Sequence, residues 1–437
     1  MHYFLPANLN LAALLAANPP KFKHNIDCFT YIIGQITGVA ARYKDLIDEQ
    51  GYVPLHAPLL KLRVHNYFSY MKYLIENGVI ECSGKYEPGA RSKGYRFAEH
   101  YRTSPIISIT ITKRTLIKSI QSKDNWTRNM EAKYHFLHRW FDDKLSIDYA
   151  AATEMNEQMK LHSIESCDNN AYLRFNANQA NIIRLKEHDY YFNVDCSAGR
   201  LHTNLTALKK ELRQYVHYDG QILASVDVVA SQPFLIGNLL LSPYFTEKEN
   251  KSVLSYHSVW GRIRKEMDLA QIRKHTQNLD DDAALFKLDC ATDFYSAFMD
   301  RIKLAGIEIY LDRDTVKKAT YMILYSKNGY FSQNGAEMKR IFKVLYPSVY
   351  ALLEVYKKRT HTALPVLLQH VEAQVILSGV ARGISKRKKD VPLYSLHDSL
   401  VLPASEIALC KEAFDEVYST LVGAVPPLNT KLWAPEQ

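Results

Sequence analysis

QILASVDVVASQPFLIGNLLL, residues 221–241, begins as a β-rich apolar run, delivers a single carboxylate at Asp227, and passes into an apolar run with helical character. Far downstream VPLYSLHDSLVLP, residues 391–403, does the same with Asp398, flanked by His397 and Ser399. A carboxylate set in an otherwise apolar strand is expensive unless it is paired, neutralised or bound to a metal. Singly, each has a plain explanation as a strand-end cap or a surface turn. Together they call for a shared one, and a divalent cation supplies it.

Between the two lies LDRDTVKKATYMILYSKNGYF, residues 311–331. On a helix turning about 100° per residue, with Arg313 at zero, Lys317, Tyr321 and Tyr325 fall at about 40°, 80° and 120°. Met322, Ala319, Ile323 and Val316 spread from about 180° to 300° and make the opposite side apolar. Leu324, at about 20°, does not fit that division. A triphosphate suits a stripe of two cations and two tyrosines: Arg offers a planar fork, Lys a point charge, and a Tyr ring can lie against a base or sugar. An amphipathic surface helix with a basic face has the same pattern.

With 437 residues, 47% of them hydrophobic and 23% charged, the chain suits a folded protein of roughly two to four domains. Disorder, collagen and coiled coil are excluded as the main architecture. Lys plus Arg is 55 against 46 Asp plus Glu, a net charge of +9 that favours a polyanionic partner. The six cysteines are far apart, with no CxxC spacing, so neither a zinc site nor a disulfide framework is indicated. Reduced thiols in the cytoplasm are expected. No apolar run approaches the roughly 18 residues that would span a bilayer, and the start MHYFLPANLN lacks the order of a secretory signal. The 29 tyrosines fit base stacking, and equally a core or an interface.

Residues 1–100 read as one module. KFKHNIDCFTYIIGQITGVAARYKDLIDE (21–49) has helical spacing, as does LLKLRVHNYFSYMKYLIENGVIE (59–81) until Asn77-Gly78 stops it and a strand begins. GKYEPGARSKGYRF (84–97) has the look of a hairpin, with Arg91, Lys93 and Arg96 on its second arm. Helices followed by a basic hairpin resemble a winged helix-turn-helix, which would put Lys61, Arg63 and the hairpin cations on DNA. A small helical cap with a basic hairpin is the plainer alternative. Residues 101–190 are mostly helical and polar. From 191 to 437 short strands, long helices and a final β-rich run suggest an α+β domain whose strands come from distant parts of the chain.

The order of an Asp in a strand, R-xxx-K-xxxxxxx-Y on a helix, and HDS in a strand resembles motifs A, B and C of the single-subunit RNA polymerases of phages and mitochondria. It is similar, more loosely, to the family A DNA polymerases. Motif A is SVDVVASQP with Asp227; motif B is Arg313, Lys317 and Tyr325; motif C is His397, Asp398 and Ser399. Upstream, AGRLHTNLTALKKELR (198–213) resembles the segment that contacts template and product strands, which puts Arg200 on nucleic acid. LQHVEAQVI (368–376) fits the helix that leads into motif C. Two departures stand out. Motif A has Gln232, Pro233 and Phe234 where family A DNA polymerases follow SQ with a sugar-discriminating glutamate, and Ser326 stands where a glycine usually follows the motif B tyrosine.

The resemblance implies a right-hand polymerase: a palm with Asp227 and Asp398 holding two Mg²⁺ ions, fingers with the 313–325 helix, and a thumb-like region at 101–190. Asp227, Asp398 and Lys317 would be catalytic, and Arg313, Lys317, Tyr321, Tyr325 and Gln232 would bind the nucleotide. Arg200 and His397 would hold the product strand. The implied activity is a nucleotidyltransferase, a compact DNA-templated RNA polymerase or primase using nucleoside triphosphates. A small family A-like DNA polymerase of a mobile element, or an inactive polymerase-derived DNA-binding regulator, are the alternatives.

Overall fold

The structure is a computed structural model that describes residues 1–84, 92–241, 252–255, 257–309 and 311–435. Its centre is a six-stranded antiparallel sheet around the strand Gln221–Val228. One edge of that strand pairs with Ser399–Pro403, which continues to Tyr394–Ser395. Its other edge pairs with Leu428–Leu432 and, at its start, with Val216–Tyr218, which carries the sheet on to Leu145–Ile147. The expected α+β architecture with strands from remote segments is what forms. Leu145–Ile147 is a strand inside a region read as mostly helical, because three residues are too few to set an alternating pattern.

Leu223, Ala224, Ser225, Val226 and Val228 are all buried, so the central strand is covered on both faces. The helix Ile407–Leu421 and the long helical run Ala363–Arg387 pack against the same core. The second of these is long and apolar enough to cross a membrane by length and composition, contrary to the expectation that no such run exists. Most of it is buried inside the protein, as a core helix is. Its middle, Gln374–Ala381, widens into a π-helical stretch, as does Ile236–Leu240 at the end of the helix after Asp227. Both widenings follow the turns that bring side chains to the site, where π segments are often found.

The helix Arg313–Tyr325 is capped by Asp312, whose Oδ1 accepts from the Thr315 N–H at 2.7 Å. It buries Val316, Ala319, Thr320, Ile323 and Leu324 against Phe294–Leu304, Glu337–Leu345 and Ala363–Ala373. Leu324 is no exception. The covered arc is wider than one stripe because three helices pack around this one.

In the N-terminal region the elements run helix Ile26–Arg42, strand Val53–Pro54, helices Ala57–Arg63 and Tyr67–Glu76, and strands Ile80–Cys82 and Gly94–Phe97. The second helical reading therefore breaks in two, at Val64, whose backbone is extended. Gly78, at φ 63°, ends the second piece as expected. The three strands pair in the order Val53–Pro54, Gly94–Phe97, Ile80–Cys82. The hairpin tip, Arg91 included, lies outside the described residues. The hydrophobic cluster here runs from Tyr3 to Leu116 and takes in Ala177 and Ala180 of the helix Ala171–Lys186, so packing continues past residue 100.

That helix joins the two halves. Asn181, fully buried, donates from its amide nitrogen to the carbonyls of Ala41 at 3.0 Å and Ala207 at 3.3 Å. One side chain thus satisfies a carbonyl from each side of the junction. Asn181→Ala leaves both buried acceptors unmet, at a cost of about 1–3 kcal/mol each. We expect thermal unfolding several degrees lower, while Asn181→Asp, which keeps the shape but loses the donor, is equally damaging.

Candidate active site

Register decides the site. In the antiparallel pair, Asp227 stands opposite Ser399, and Asp398 precedes Ser399 in the tight turn between the strands Tyr394–Ser395 and Ser399–Pro403. Leu396 and Ser399 close that turn, with the Leu396 N–H donating to the Ser399 carbonyl at 2.9 Å. His397 takes φ 66° in it, a left-handed conformation that a histidine tolerates at some cost. Two acids remote in the chain therefore meet at one sheet end.

Neither acid is neutralised by a close ion pair among the described residues. Burial is the main force raising the Asp227 carboxyl above the usual range, against the pull of Asn429, Lys317, Lys210 and Arg313. Asn429 donates to Asp227 from the neighbouring strand at 3.4 Å. Asp398 is pushed up to about 7, first by burial, then by the negative charge of Glu372 and of Asp227. A repelling carboxylate pair in a sheet end is an arrangement that a divalent cation relieves, and hard oxygen donors are what magnesium prefers. Among the described residues no group of three or more His, Cys, Asp or Glu gathers as a metal cluster.

Glu372 escaped the sequence reading. It is 2% exposed on the helix Ala363–Ala373, accepts from the Ser231 hydroxyl at 2.8 Å, and forms an ion pair with Arg200. The rule that singled out Asp227 and Asp398 applies equally to a lone acid in LPVLLQHVEAQVILSG, and would have found it. Arg200 is presented by a loop that Asp195 organises: its carboxylate accepts from the N–H groups of Ser197, Ala198 and Arg200 at 2.9, 2.6 and 2.9 Å. Burial pushes the Asp195 carboxyl up, but these bonds and His202 outweigh it and hold it well below the usual range.

His397 lies edge-on to His202 at 5.4 Å. Burial, then the charges of Arg200, His202 and Arg213, lower it to about 3, so the ring is neutral at physiological pH. The buried Nδ1 of His397 and the Nε of both Arg200 and Arg213 find no hydrogen-bond partner among the described residues.

The 313–325 helix faces this centre. Lys317 is exposed, forms no hydrogen bond or ion pair among the described residues, and acts on Asp227 as a nearby cation. Arg313 is held: its Nε and Nη2 reach the two oxygens of Asp293 at 2.7 and 3.2 Å, and the guanidinium lies over Tyr295 at 5.1 Å. The rings of Tyr321 and Tyr325 are 5.7 Å apart. Gln232 is buried with its carboxamide on the Tyr325 hydroxyl, Nε2 at 2.8 Å and Oε1 at 3.0 Å, and Gln369 donates to the same oxygen at 3.4 Å. The segment after Asp227 and the 313–325 helix thus touch through Gln232 and Tyr325.

The N-terminal cations lie elsewhere. Lys61 and Lys93 are exposed, and Arg63 donates to Ser119 at 3.5 Å. Arg96 is occupied by Glu81, by the Gln50 carbonyl and by the Tyr52 ring, so it fastens strands rather than reaching outward.

No known protein family matches the chain, and no curated protein does. Among solved structures, the polymerase domain of Pol1 from M. smegmatis, in complex with DNA primer-template and dNTP, is similar over 73% of this chain and 71% of that one. The identity is 12% and the TM-score 0.42.

The repelling acids make a stability prediction. A carboxyl raised in the folded state contributes stability below its unfolded value near 4, which is lost as pH rises through about 7. Asp398→Asn removes that charge, so at pH 8 without divalent cations the variant melts higher than the parent, by about 1–2 °C for each kcal/mol relieved. Calorimetry at pH 5 and pH 8 checks it: the gap must shrink at the lower pH.

Proposed function

We propose that this chain is a template-directed nucleotidyltransferase that extends a 3′-hydroxyl with nucleoside triphosphates. The observation that carries the reading is the convergence of Asp227 and Asp398 at one sheet end, facing the exposed ammonium of Lys317. Asp227 and Asp398 would hold the magnesium, two ions on the reading from sequence. When bound, such ions activate the attacking hydroxyl and stabilise the leaving pyrophosphate.

The chain's own groups do the rest. Lys317 neutralises charge developing on the triphosphate and is placed to protonate the departing pyrophosphate. Arg313, oriented by Asp293, turns its remaining donors to phosphate oxygens. Tyr321 and Tyr325 line the base and sugar pocket. Neutral His397 and the guanidinium of Arg200 would hold the product end, with Glu372 fixing Arg200 in place.

We read the N-terminal elements as a winged-helix-like DNA-binding module in the cytoplasm, with Lys61 and Lys93 on its outer surface; helices followed by the paired strands Val53–Pro54, Gly94–Phe97 and Ile80–Cys82 support that reading. A second cationic patch supports nucleic acid as the partner. Lys44, Lys209, Lys210 and Arg213 form no ion pairs among the described residues. Asn181 draws together the segments that carry them. Lys44 is lowered to about 8 by burial and by Lys209 and Arg213. Replacing Lys44 and Lys209 with Gln should weaken DNA binding and flatten its salt dependence by about one unit of slope for each phosphate no longer neutralised. Anisotropy titrations at several salt concentrations measure it.

The sugar has two readings. The motif B spacing and the absence of an acidic gate favour ribonucleotides, hence an RNA polymerase or primase. The Gln232 contact favours deoxynucleotides: its carboxamide already engages the Tyr325 hydroxyl, the group a 2′-hydroxyl would have to share. Incorporation assays with Mg²⁺ and ribo- or deoxynucleotides, with and without primer, decide between them by product and by ribonuclease sensitivity. Asp398→Asn should abolish product while DNA binding persists, and Lys317→Ala should slow it by orders of magnitude. Parent protein that binds DNA but makes no product under any of these conditions would instead be an inactive polymerase-derived regulator.

A further inference from the structure

The end of the 313–325 helix is held in an unusual way. The last carbonyls of a helix lack partners inside it and are commonly met by backbone N–H groups folding back through a left-handed residue. Here the chain leaves through Ser326 in extended conformation, and the Ser326 N–H turns back to Met322 at 3.0 Å. Two lysines from neighbouring helical segments supply further donors. Lys357, just past the helix Pro347–Tyr356, donates to the carbonyls of Ile323 at 2.9 Å and Ser326 at 3.3 Å. Lys339, on Glu337–Leu345, donates to the Ser326 hydroxyl at 3.0 Å and the Lys327 carbonyl at 2.8 Å.

Both are buried, Lys339 at 0% and Lys357 at 3% exposure, and neither forms an ion pair among the described residues. Burying an ammonium is costly, and two close together cost more. Burial first, then Lys339, lowers Lys357 to about 8 against the pull of Glu354. Burial likewise lowers Lys339, again opposed by Glu354. Val316, Ala319, Ile323 and Leu324 of the helix are buried independently of these contacts. What the two lysines add is positive charge at the negative end of the helix, one hydrogen bond to its last turn at Ile323 and three to the residues that leave it, Ser326 and Lys327.

We infer that Lys339 and Lys357 are positioning residues for the nucleotide, a two-point latch on the last turn that sets the place of Tyr325. Tyr325 lies between the latched carbonyls of Ile323 and Ser326, and its hydroxyl meets Gln232 and Gln369 on the far side. A small rotation of that turn would part the hydroxyl from Gln232. The serine in place of glycine at 326 then has a reason: its hydroxyl is one of the four acceptors. This inference rests on the polymerase reading for its kinetic consequence, but not for the latch itself.

The test uses the full-length chain with Lys357→Met, Lys339→Met and Ser326→Gly. Hydrogen exchange followed by mass spectrometry should show faster exchange over residues 322–327 in each variant, and little change over 313–319. In single-nucleotide incorporation the lysine variants should raise KM for the nucleotide about tenfold or more, in line with the sensitivity of catalysis to small misplacements, with primer-template affinity unchanged. Ser326→Gly should give a smaller rise, and combining it with Lys339→Met should add little beyond Lys339→Met alone. Ser326→Gly leaves both buried lysines in place, so it serves if a lysine variant does not fold. Parent-like exchange at 322–327, or a parent-like KM, overturns the inference. If the parent incorporates nothing, the polymerase reading fails by itself, and the exchange pattern still decides the latch.

Discussion

Everything at the candidate site depends on one β-sheet register: Asp227 opposite Ser399. A slip of one residue would send every side chain of a strand to the other face. Here the slip is opposed by a strand whose residues are buried on both sides and held at both edges. That constraint holds two acids together against their mutual repulsion and that of Glu372. Core burial elsewhere supplies the stability that this local conflict consumes.

The same tension recurs away from the acids. Arg200, Lys339 and Lys357 are charges held inside or at the margin of the core, and each acts on an element that carries site residues. Glu372 and Arg200 tie the loop at 195–200 to the helix Ala363–Ala373. Lys339 and Lys357 tie the end of the helix Arg313–Tyr325 to its neighbours. Apolar packing would hold these helices in place, but it specifies rotation poorly. Directed hydrogen bonds specify it well, at a cost in desolvation.

Much of this was legible without coordinates. A lone acid in an apolar run is a local signal, and it marked both Asp227 and Asp398. Helical spacing placed Lys317, Tyr321 and Tyr325 on one side of their helix. Glu372, in its own apolar helix, carries the same local signal as the two aspartates. Lys339 and Lys357 are different. In EMKRIFKVL and VYKKRT they sit among other cations, and nothing local separates a buried lysine from an exposed one. Arg96 shows the converse: a hairpin cation that reads as outward-facing is held by Glu81 and Tyr52.

Sequence by itself determined which residues carry charge inside apolar segments, and so which side chains had to find partners or a function, because the cost of an isolated charge in an apolar setting is a local property. Only the tertiary structure decided who the partners are. The pairing of Asp227 with Asp398, of Gln232 with Tyr325, of Arg200 with Glu372, and of two lysines with one helix end joins residues far apart along the chain. Such contacts follow from register and helix packing, which are settled by the core as a whole.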